Sequence, residues 1–298
     1  MLTKKITSKS NLREIIDSFN LKGGTVLVKP NWVGAYPGGY TDAKILDLLL
    51  SSLEGKRVIL LESYTFWRTD KKKDGDDDYF SSKEATLESG KQHWEFFKGM
   101  DEWFLKYTGI GDVLKKYNAQ YLNITNEIWR GNIANPQEIA SLVESKFPPV
   151  AIKDMYAVIP QSLLELKGAP LISFAKAKID SNYGASFSIK NLFGLIPDPT
   201  RYEKYHGGDP EKLLSRSIID VHKIYQSLFD VKFVVESVFQ YGKMDWTTGR
   251  SQKINGDGTL IAGDDGYKVD KEAERTYKVK SSGPLKNLLK EYKNVFAK

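Results

Sequence analysis

The sequence predicts an α/β protein: a mainly parallel sheet with helices on both faces, and an aromatic-rich insertion near residues 64–108. Two observations carry this. Apolar, β-branched runs alternate along the chain with segments whose apolar residues recur at helical spacing. The first pair of runs, 25–29 and 57–62, encloses one helical segment, and a strand–helix–strand unit of that size implies parallel pairing with a right-handed crossover. With 298 residues, 41% hydrophobic and 28% charged, the chain has the ordinary composition of a soluble globular protein. It can bury its core as one α/β domain over 1–298 or as two lobes, about 1–150 and 151–298.

Each element follows from local pattern. Residues 11–19 read as a short amphipathic helix and 25–29 as a buried strand. Residues 42–53 have helical apolar spacing with Asp42 as N-cap, and 57–62 form the second strand. Residues 64–108 break the alternation. They carry an acidic run (Asp74, Asp76, Asp77, Asp78) and a dense set of rings: Phe66, Trp67, Tyr79, Phe80, Trp94, Phe96, Phe97, Trp103, Phe104 and Tyr107. An insertion this long needs burial of its own, which favours a local mini-core over a ring-lined lid. Alternation resumes with a helix at 109–117, a strand at 119–124 and a helix at 136–147 that has Pro136 in its first turn. Strands at 150–159 and 169–174 flank a short helix at 161–166. A helix at 185–195, a long one at 210–228, strands at 231–238 and 259–262, and helices at 269–279 and 284–296 complete the chain.

Composition removes several function classes. Cysteine is absent, which excludes disulfides, thiolate nucleophiles, cysteine-ligated zinc and cysteine-ligated iron–sulfur clusters. No cationic leader precedes an apolar segment and small-residue cleavage site, and the longest apolar runs fall far short of a bilayer span. A cytoplasmic protein without membrane attachment is expected. The formal charge of +6 and a pI near 9.0 raise the question of nucleic acid. Much of the excess sits near the C-terminus, at Arg275, Lys278, Lys280, Lys286, Lys290, Lys293 and Lys298, while Lys71 to Lys73 is cancelled by the aspartates that follow. No nucleic-acid fold signature accompanies the charge, which favours a solvated lysine-rich surface.

Chemistry gathers at the ends of strands. Lys29-Pro30-Asn31 follows the first long strand, where the side chains of a parallel sheet reach the ligand crevice. Pro30 fixes the backbone, Asn31 can donate and accept in a turn, and Gly34, Gly38 and Gly39 leave backbone N–H groups for an anion. A strand exit whose polar residues face water reads equally well. Glu62-Ser63 ends the second strand in the equivalent position, as an acid facing the same crevice, a carboxylate paired to a neighbouring lysine, or one merely solvated. Lys176-Ala177-Lys178 ends a third. Lysines at i and i+2 of an extended segment share a face, and crowding lowers the pKa of each, as suits a proton carrier or an imine-forming amine. The commoner explanation is an exposed strand end.

The densest signal is Lys190-Asn191-Leu192-Phe193-Gly194-Leu195-Ile196-Pro197, followed by Arg201 and His206-Gly207-Gly208. An apolar run ends on Lys-Asn and then breaks at Gly194, Pro197 and Pro199. In a 185–195 helix, Lys190 lies one turn from Ser186 and Gly194, small residues that admit other backbone. Arg201 offers a planar fork for carboxylate or phosphate. His206 belongs to the residue type that titrates near neutral pH, and serves either as an acid or base on a closing loop or as the cap of a surface turn. His93 and His222 stand in aromatic or helical contexts suited to packing, and three histidines so spaced make no zinc site. A serine nucleophile has little support without a Gly-x-Ser-x-Gly elbow.

These motifs together resemble the domain-of-unknown-function 362 family, over about residues 24–275. The resemblance implies a Lys-Pro-Asn after the first long strand, a Glu-Ser at the end of the next, and a lysine motif. A Lys-Asn-Leu-Phe-Gly block follows, with downstream Arg and His, then a glycine-rich turn and an Asp-Asp segment leading into a helix with an inward Asp. Here those positions are Lys29 to Asn31, Glu62-Ser63, Lys176 to Lys178, Lys190 to Gly194, Arg201 and His206, then Gly242 to Gly249, Asp264-Asp265 and Asp270. Two departures matter. Where family members often have Lys-x-His, this chain has Lys178-Ile179-Asp180, so a histidine's proton-transfer role there is lost or passes to Asp180. The glycine-rich turn carries Asp245 and Trp246, pointing to a different ligand or none. The ferredoxin-like segment of some relatives is missing.

The residues expected to be catalytic are therefore His206, Glu62 and Lys178. Those expected to bind substrate are Lys29, Asn31, Lys190, Asn191 and Arg201, with a small carboxylate or phosphate compound as partner. An enzyme working in an inter-strand crevice would use all of them. A non-catalytic anion-binding or accessory protein would need the cations without a proton carrier, and a nucleic-acid-associated protein would use the basic C-terminal region.

Overall fold

A computed structural model describes residues 1–36, 38–65, 68, 86–198, 201–206, 210–245 and 250–296. Its strands are β1 (Leu2–Lys5), β2 (Thr25–Lys29), β3 (Arg57–Glu62), β4 (Gln120–Asn123), β5 (Pro170–Lys176), β6 (Lys178–Asp180), β7 (Gly184–Ser186), β8 (Asp230–Ser237), β9 (Gln240–Asp245), β10 (Arg250–Asn255) and β11 (Thr259–Gly263). The main sheet has the order β1-β11-β8-β5-β2-β3-β4. From β8 to β4 every pairing is parallel, and β11 and β1 add an antiparallel edge. The expected α/β architecture stands as a mixed, mostly parallel sheet, whose strands come from both halves of the chain.

Alternation along each strand divides the core in two. Leu27, Ile59, Leu61, Leu171, Phe233 and Val235 bury on one face, and Val26, Val28, Val58, Leu60, Ile172 and Val234 on the other, as the two-residue period of a strand requires. Helices Lys9–Ser18, Ala43–Ser52 and Ile110–Lys116 cover the second face; helices Pro136–Glu144, Pro210–Leu228 and Gly266–Tyr277 cover the first. The order also contains a switch. From β2 the chain moves outward through β3 and β4, then returns to β2's other side with β5 and continues to β8. In open parallel sheets such a reversal leaves a crevice at the carboxyl ends of the two strands.

Several local expectations are corrected. Residues 150–159 form no strand; a 3₁₀ turn spans Lys153–Ala157. The N–H groups of Ala151 and Ile152 donate to the Asp220 carboxylate, and that of Val150 to the Tyr156 hydroxyl, so a side-chain anchor replaces a ladder. The single helix expected at 185–195 is a strand residue pair, a four-residue helix Ser188–Asn191 and a 3₁₀ turn Leu192–Leu195. Ser186 and Gly194 therefore do not share a helical face with Lys190. A second sheet, β10-β9-β6-β7, was not expected at all.

In the insertion, Tyr64, Phe97, Met100 and Trp129 bury as a small cluster, with Phe97 5.5 Å from Trp129 and 6.0 Å from Tyr64 between ring centroids. Phe104 instead joins the main core. Phe66, Trp67, Tyr79, Phe80, Lys71 to Lys73 and the acidic run lie outside the described residues, as do Gly207-Gly208, Trp246 to Gly249 and Lys298. Among the described residues, no helix is long and apolar enough to cross a membrane.

Candidate functional site

A cavity of about 360 Å³ opens at the switch between β2 and β5, walled on its far side by the second sheet. Lys29, Asn31 and Glu62 reach it from the ends of β2 and β3. Lys178 comes from β6, Lys190 and Asn191 from the short helix, and Arg201 and His206 from a π-helical turn. The eight residues singled out in the sequence thus line one cavity. Lys176 does not. β5 ends there and the chain crosses to the other sheet at Ala177, so the shared face expected for Lys176 and Lys178 is lost. Lys176, wholly buried, instead pairs with Glu236 at 2.5 Å and Asp42 at 3.2 Å, pinning the helix that Asp42 caps to the base of β9.

Glu62 is the hub of the cavity floor. Its Oε1 accepts from Lys29 Nζ at 2.6 Å and Trp32 N–H at 2.9 Å, and its Oε2 from Arg68 at 3.0 Å and Ser63 N–H at 3.3 Å. Arg68 also donates to the Trp32 carbonyl at 2.7 Å and pairs with Asp101. Burial holds Lys29 down at about 8, against the pull of the Glu62 carboxylate, with Arg68 and Arg201 lowering it further. Four donors already saturate Glu62, so its local task is to fix Lys29 and Arg68.

The opposite wall carries cations with little compensation. Burial lowers Lys178 to about 7, with the Lys190 ammonium as the next cause and Asp180 acting against it. Lys190 is lowered by burial too, and its Nζ lies 4.0 Å from the centroid of the Tyr183 ring, over its negative face. Neither ammonium pairs with a carboxylate at ion-pair distance among the described residues. The Tyr183 hydroxyl meets His206 Nδ1 at 3.2 Å. His206 was expected to titrate near neutrality; burial, then Lys190 and Arg201, depress it to about 3. At physiological pH it is a neutral ring.

Two buried supports aim these groups. Asn191 donates through Nδ2 to the Lys29 carbonyl at 3.0 Å and Ser173 Oγ at 3.2 Å, and its Oδ1 accepts from Asn31 Nδ2 at 3.1 Å. That orientation leaves Asn31 Oδ1 buried and without a hydrogen-bond partner among the described residues. Asp270, the inward acid of the helix Gly266–Tyr277, accepts from the Ser188 N–H and hydroxyl and the Ile189 N–H at 2.5–3.0 Å, holding the turn that carries Lys190 and Asn191. Gly194 has a steric reason: a Cβ there would sit 3.0 Å from Lys29 Nζ, and its carbonyl accepts from Arg201 at 2.9 Å. Gly38 and Gly242 likewise meet backbone to backbone, since a Cβ on Gly38 would stand 2.4 Å from the Tyr241 carbonyl. These glycines join the 34–39 loop to β9; Gly38 and Gly39 do not line the cavity.

Sequence reasoning missed Arg68, Tyr183 and Asp198. Asp198 pairs with Arg201 at 2.8 Å, a signal present in their i, i+3 spacing. Arg68 and Tyr183 carried none, since only the fold brings them to Glu62 and His206.

Comparison with known proteins adds one finding. The family model described as "Domain of unknown function (DUF362)" matches residues 26–274, most of the chain, and the protein belongs to that family. No curated protein and no solved structure matches it.

Proposed function

We propose that this family member is an enzyme acting on a small carboxylate or phosphate compound bound in the cavity at the β2–β5 switch. One observation carries the reading: two half-buried ammonium groups, Lys178 and Lys190, face the same cavity with no carboxylate at ion-pair distance among the described residues. Like charges brought together out of water repel, and an anion between them relieves that cost. Arg201 and Lys29 would complete the cradle, and the unused Asn31 Oδ1 suits a hydroxyl or amine on the same ligand. Lys178 is the group here whose proton is exchangeable near neutral pH, as general acid–base work requires. In this reading neutral His206 hydrogen-bonds the substrate, and Glu62 keeps Lys29 in place. The alternative of a non-catalytic anion carrier uses the same cations and leaves Lys178 no task beyond charge. The basic C-terminal side chains Arg275, Lys278, Lys280, Lys286, Lys290 and Lys293 are exposed, and the hollow that Arg275 and Lys280 line is shared with the carboxylates Glu272 and Glu274, so nucleic acid is the weaker partner.

Calorimetry with phosphate, pyrophosphate and small dicarboxylates tests the reading. At least one anion should bind, and Lys190→Ala and Arg201→Ala should each weaken it by about tenfold or more, the scale of one lost hydrogen bond to a charged group. Affinity should fall as pH rises through about 7, where Lys178 loses its charge, and Lys178→Met should flatten that dependence. Binding unchanged in both alanine variants would overturn the proposal.

A further inference from the structure

The cavity contains an amine as well as a cradle, and the two together narrow the substrate. Lys178 projects from a three-residue strand that is held on both sides, by β7 and by β9, so the backbone beneath the amine is fixed. No hydrogen-bond partner for its Nζ is present among the described residues, whereas Lys29 Nζ is tied to Glu62 and the Pro30 carbonyl, and Lys176 Nζ to Asp42, Glu236 and the Gln240 carbonyl. Lys190 is held over the Tyr183 ring beside it. A half-buried amine next to a second cation is an arrangement that activates lysine as a nucleophile.

We propose that Lys178 attacks a carbonyl carbon and forms an imine with a small carbonyl compound whose carboxylate or phosphate is held by Lys190 and Arg201. The inference rests on the anion-binding reading above. In the step, the lone pair of the uncharged Lys178 amine forms the C–N bond while the carbonyl π pair moves to oxygen. Proton transfer from nitrogen to that oxygen gives a carbinolamine, and loss of the hydroxyl with one further proton leaves the C=N bond and one water. No oxidant or reductant is needed. Asp180, two residues on along the same strand, also lines the cavity and would relay the protons. Surface lysines hold their protons to about 10.4, whereas Lys178 gives its up at about 7, so a large fraction of it is free amine at neutral pH.

The test uses the whole protein with pyruvate in one arm, dihydroxyacetone phosphate in the other, and cyanoborohydride to reduce any imine to a stable amine. Intact mass and peptide mapping should show a single adduct on Lys178, formed on the order of a thousandfold faster at pH 7 than on a surface lysine given their difference in free amine. Inorganic phosphate should slow it. Lys178→Arg, which keeps the charge, should lose the adduct while still binding the anion, and Lys190→Ala should need more carbonyl compound to reach the same labelling. The arm that labels identifies the anionic group as carboxylate or phosphate. Anion binding without an adduct in either arm overturns the imine and leaves the binding site standing. Labelling spread evenly over surface lysines overturns it as well. Absence of both binding and adduct removes the underlying reading along with it.

Discussion

Replacing Glu62 by alanine is expected to cost about 3–5 kcal/mol of folding stability, the scale seen when one member of a buried ion-pair network is removed. The side chains of Lys29, Glu62 and Arg68 are each no more than 2% exposed. Without the carboxylate, Lys29 keeps only the Pro30 carbonyl, Arg68 keeps Asp101 and the Trp32 carbonyl, and the Trp32 and Ser63 N–H groups lose their acceptor. The cost comes from these stranded donors more than from lost attraction, because an uncompensated buried cation forfeits its hydration with nothing in return. Glu62→Gln should cost less, since the amide oxygen still accepts from Lys29 and Trp32, although the amide nitrogen leaves the Arg68 and Ser63 donors without their acceptor. Urea unfolding of the three proteins at pH 7 gives the comparison. A loss below about 1 kcal/mol for the alanine variant would mean that water reaches these cations, and that the floor of the cavity is not the closed network described above.

How much of this was legible before the fold is clearest residue by residue. β2, β3, β5 and β8 announced themselves because each is a continuous apolar run, and Asp42 was readable as an N-cap because capping is local. The cavity residues were legible for a related reason: Lys29 and Glu62 end strands, and Lys190, Asn191 and Arg201 follow an apolar run broken by glycine and proline. Their meeting was not legible, because it depends on β5 returning beside β2, and strand order leaves no mark in local periodicity. The second sheet escaped notice because β6 and β7 have three residues each, too few to display a period, and β9 and β10 are polar. The 185–195 segment has helical spacing but is cut short by a carboxylate 82 residues further on. The same holds for titration. Residue type alone puts His206 near neutrality; burial in the folded protein, then the charges of Lys190 and Arg201, push it to about 3.

That distant carboxylate, Asp270, makes the protein's stability depend on pH in a direction opposite to that of an ion-paired aspartate. It is 5% exposed and receives three hydrogen bonds that favour the ionised form, yet burial outweighs them and raises its pKa to about 7, with Glu274 adding to the rise. The folded protein therefore keeps this proton up to about pH 7, while the unfolded chain releases it near the ordinary 3.8. Between those values the folded state binds more protons, so the contribution of Asp270 is fully present below 3.8, declines as pH rises, and is gone above about 7. Asp270→Asn removes the titration and keeps the shape, presenting one acceptor oxygen to Ser188 as the protonated acid does. Measured against this variant by urea unfolding from pH 5 to pH 8, the wild-type protein should lose roughly 2–3 kcal/mol of relative stability. Parallel profiles for the two proteins would show that the three hydrogen bonds win and that Asp270 is ionised throughout. The consequence extends to the cavity, because Asp270 holds the first turn of the helix whose last two residues are Lys190 and Asn191. Ionised, the carboxylate accepts from both N–H groups and the Ser188 hydroxyl; protonated, it turns a hydroxyl toward one of these donors and loosens that grip. Anion affinity in wild-type protein should thus fall more than in Asp270→Asn when pH drops from 7 to 5, against the rise that Lys178 protonation produces in both.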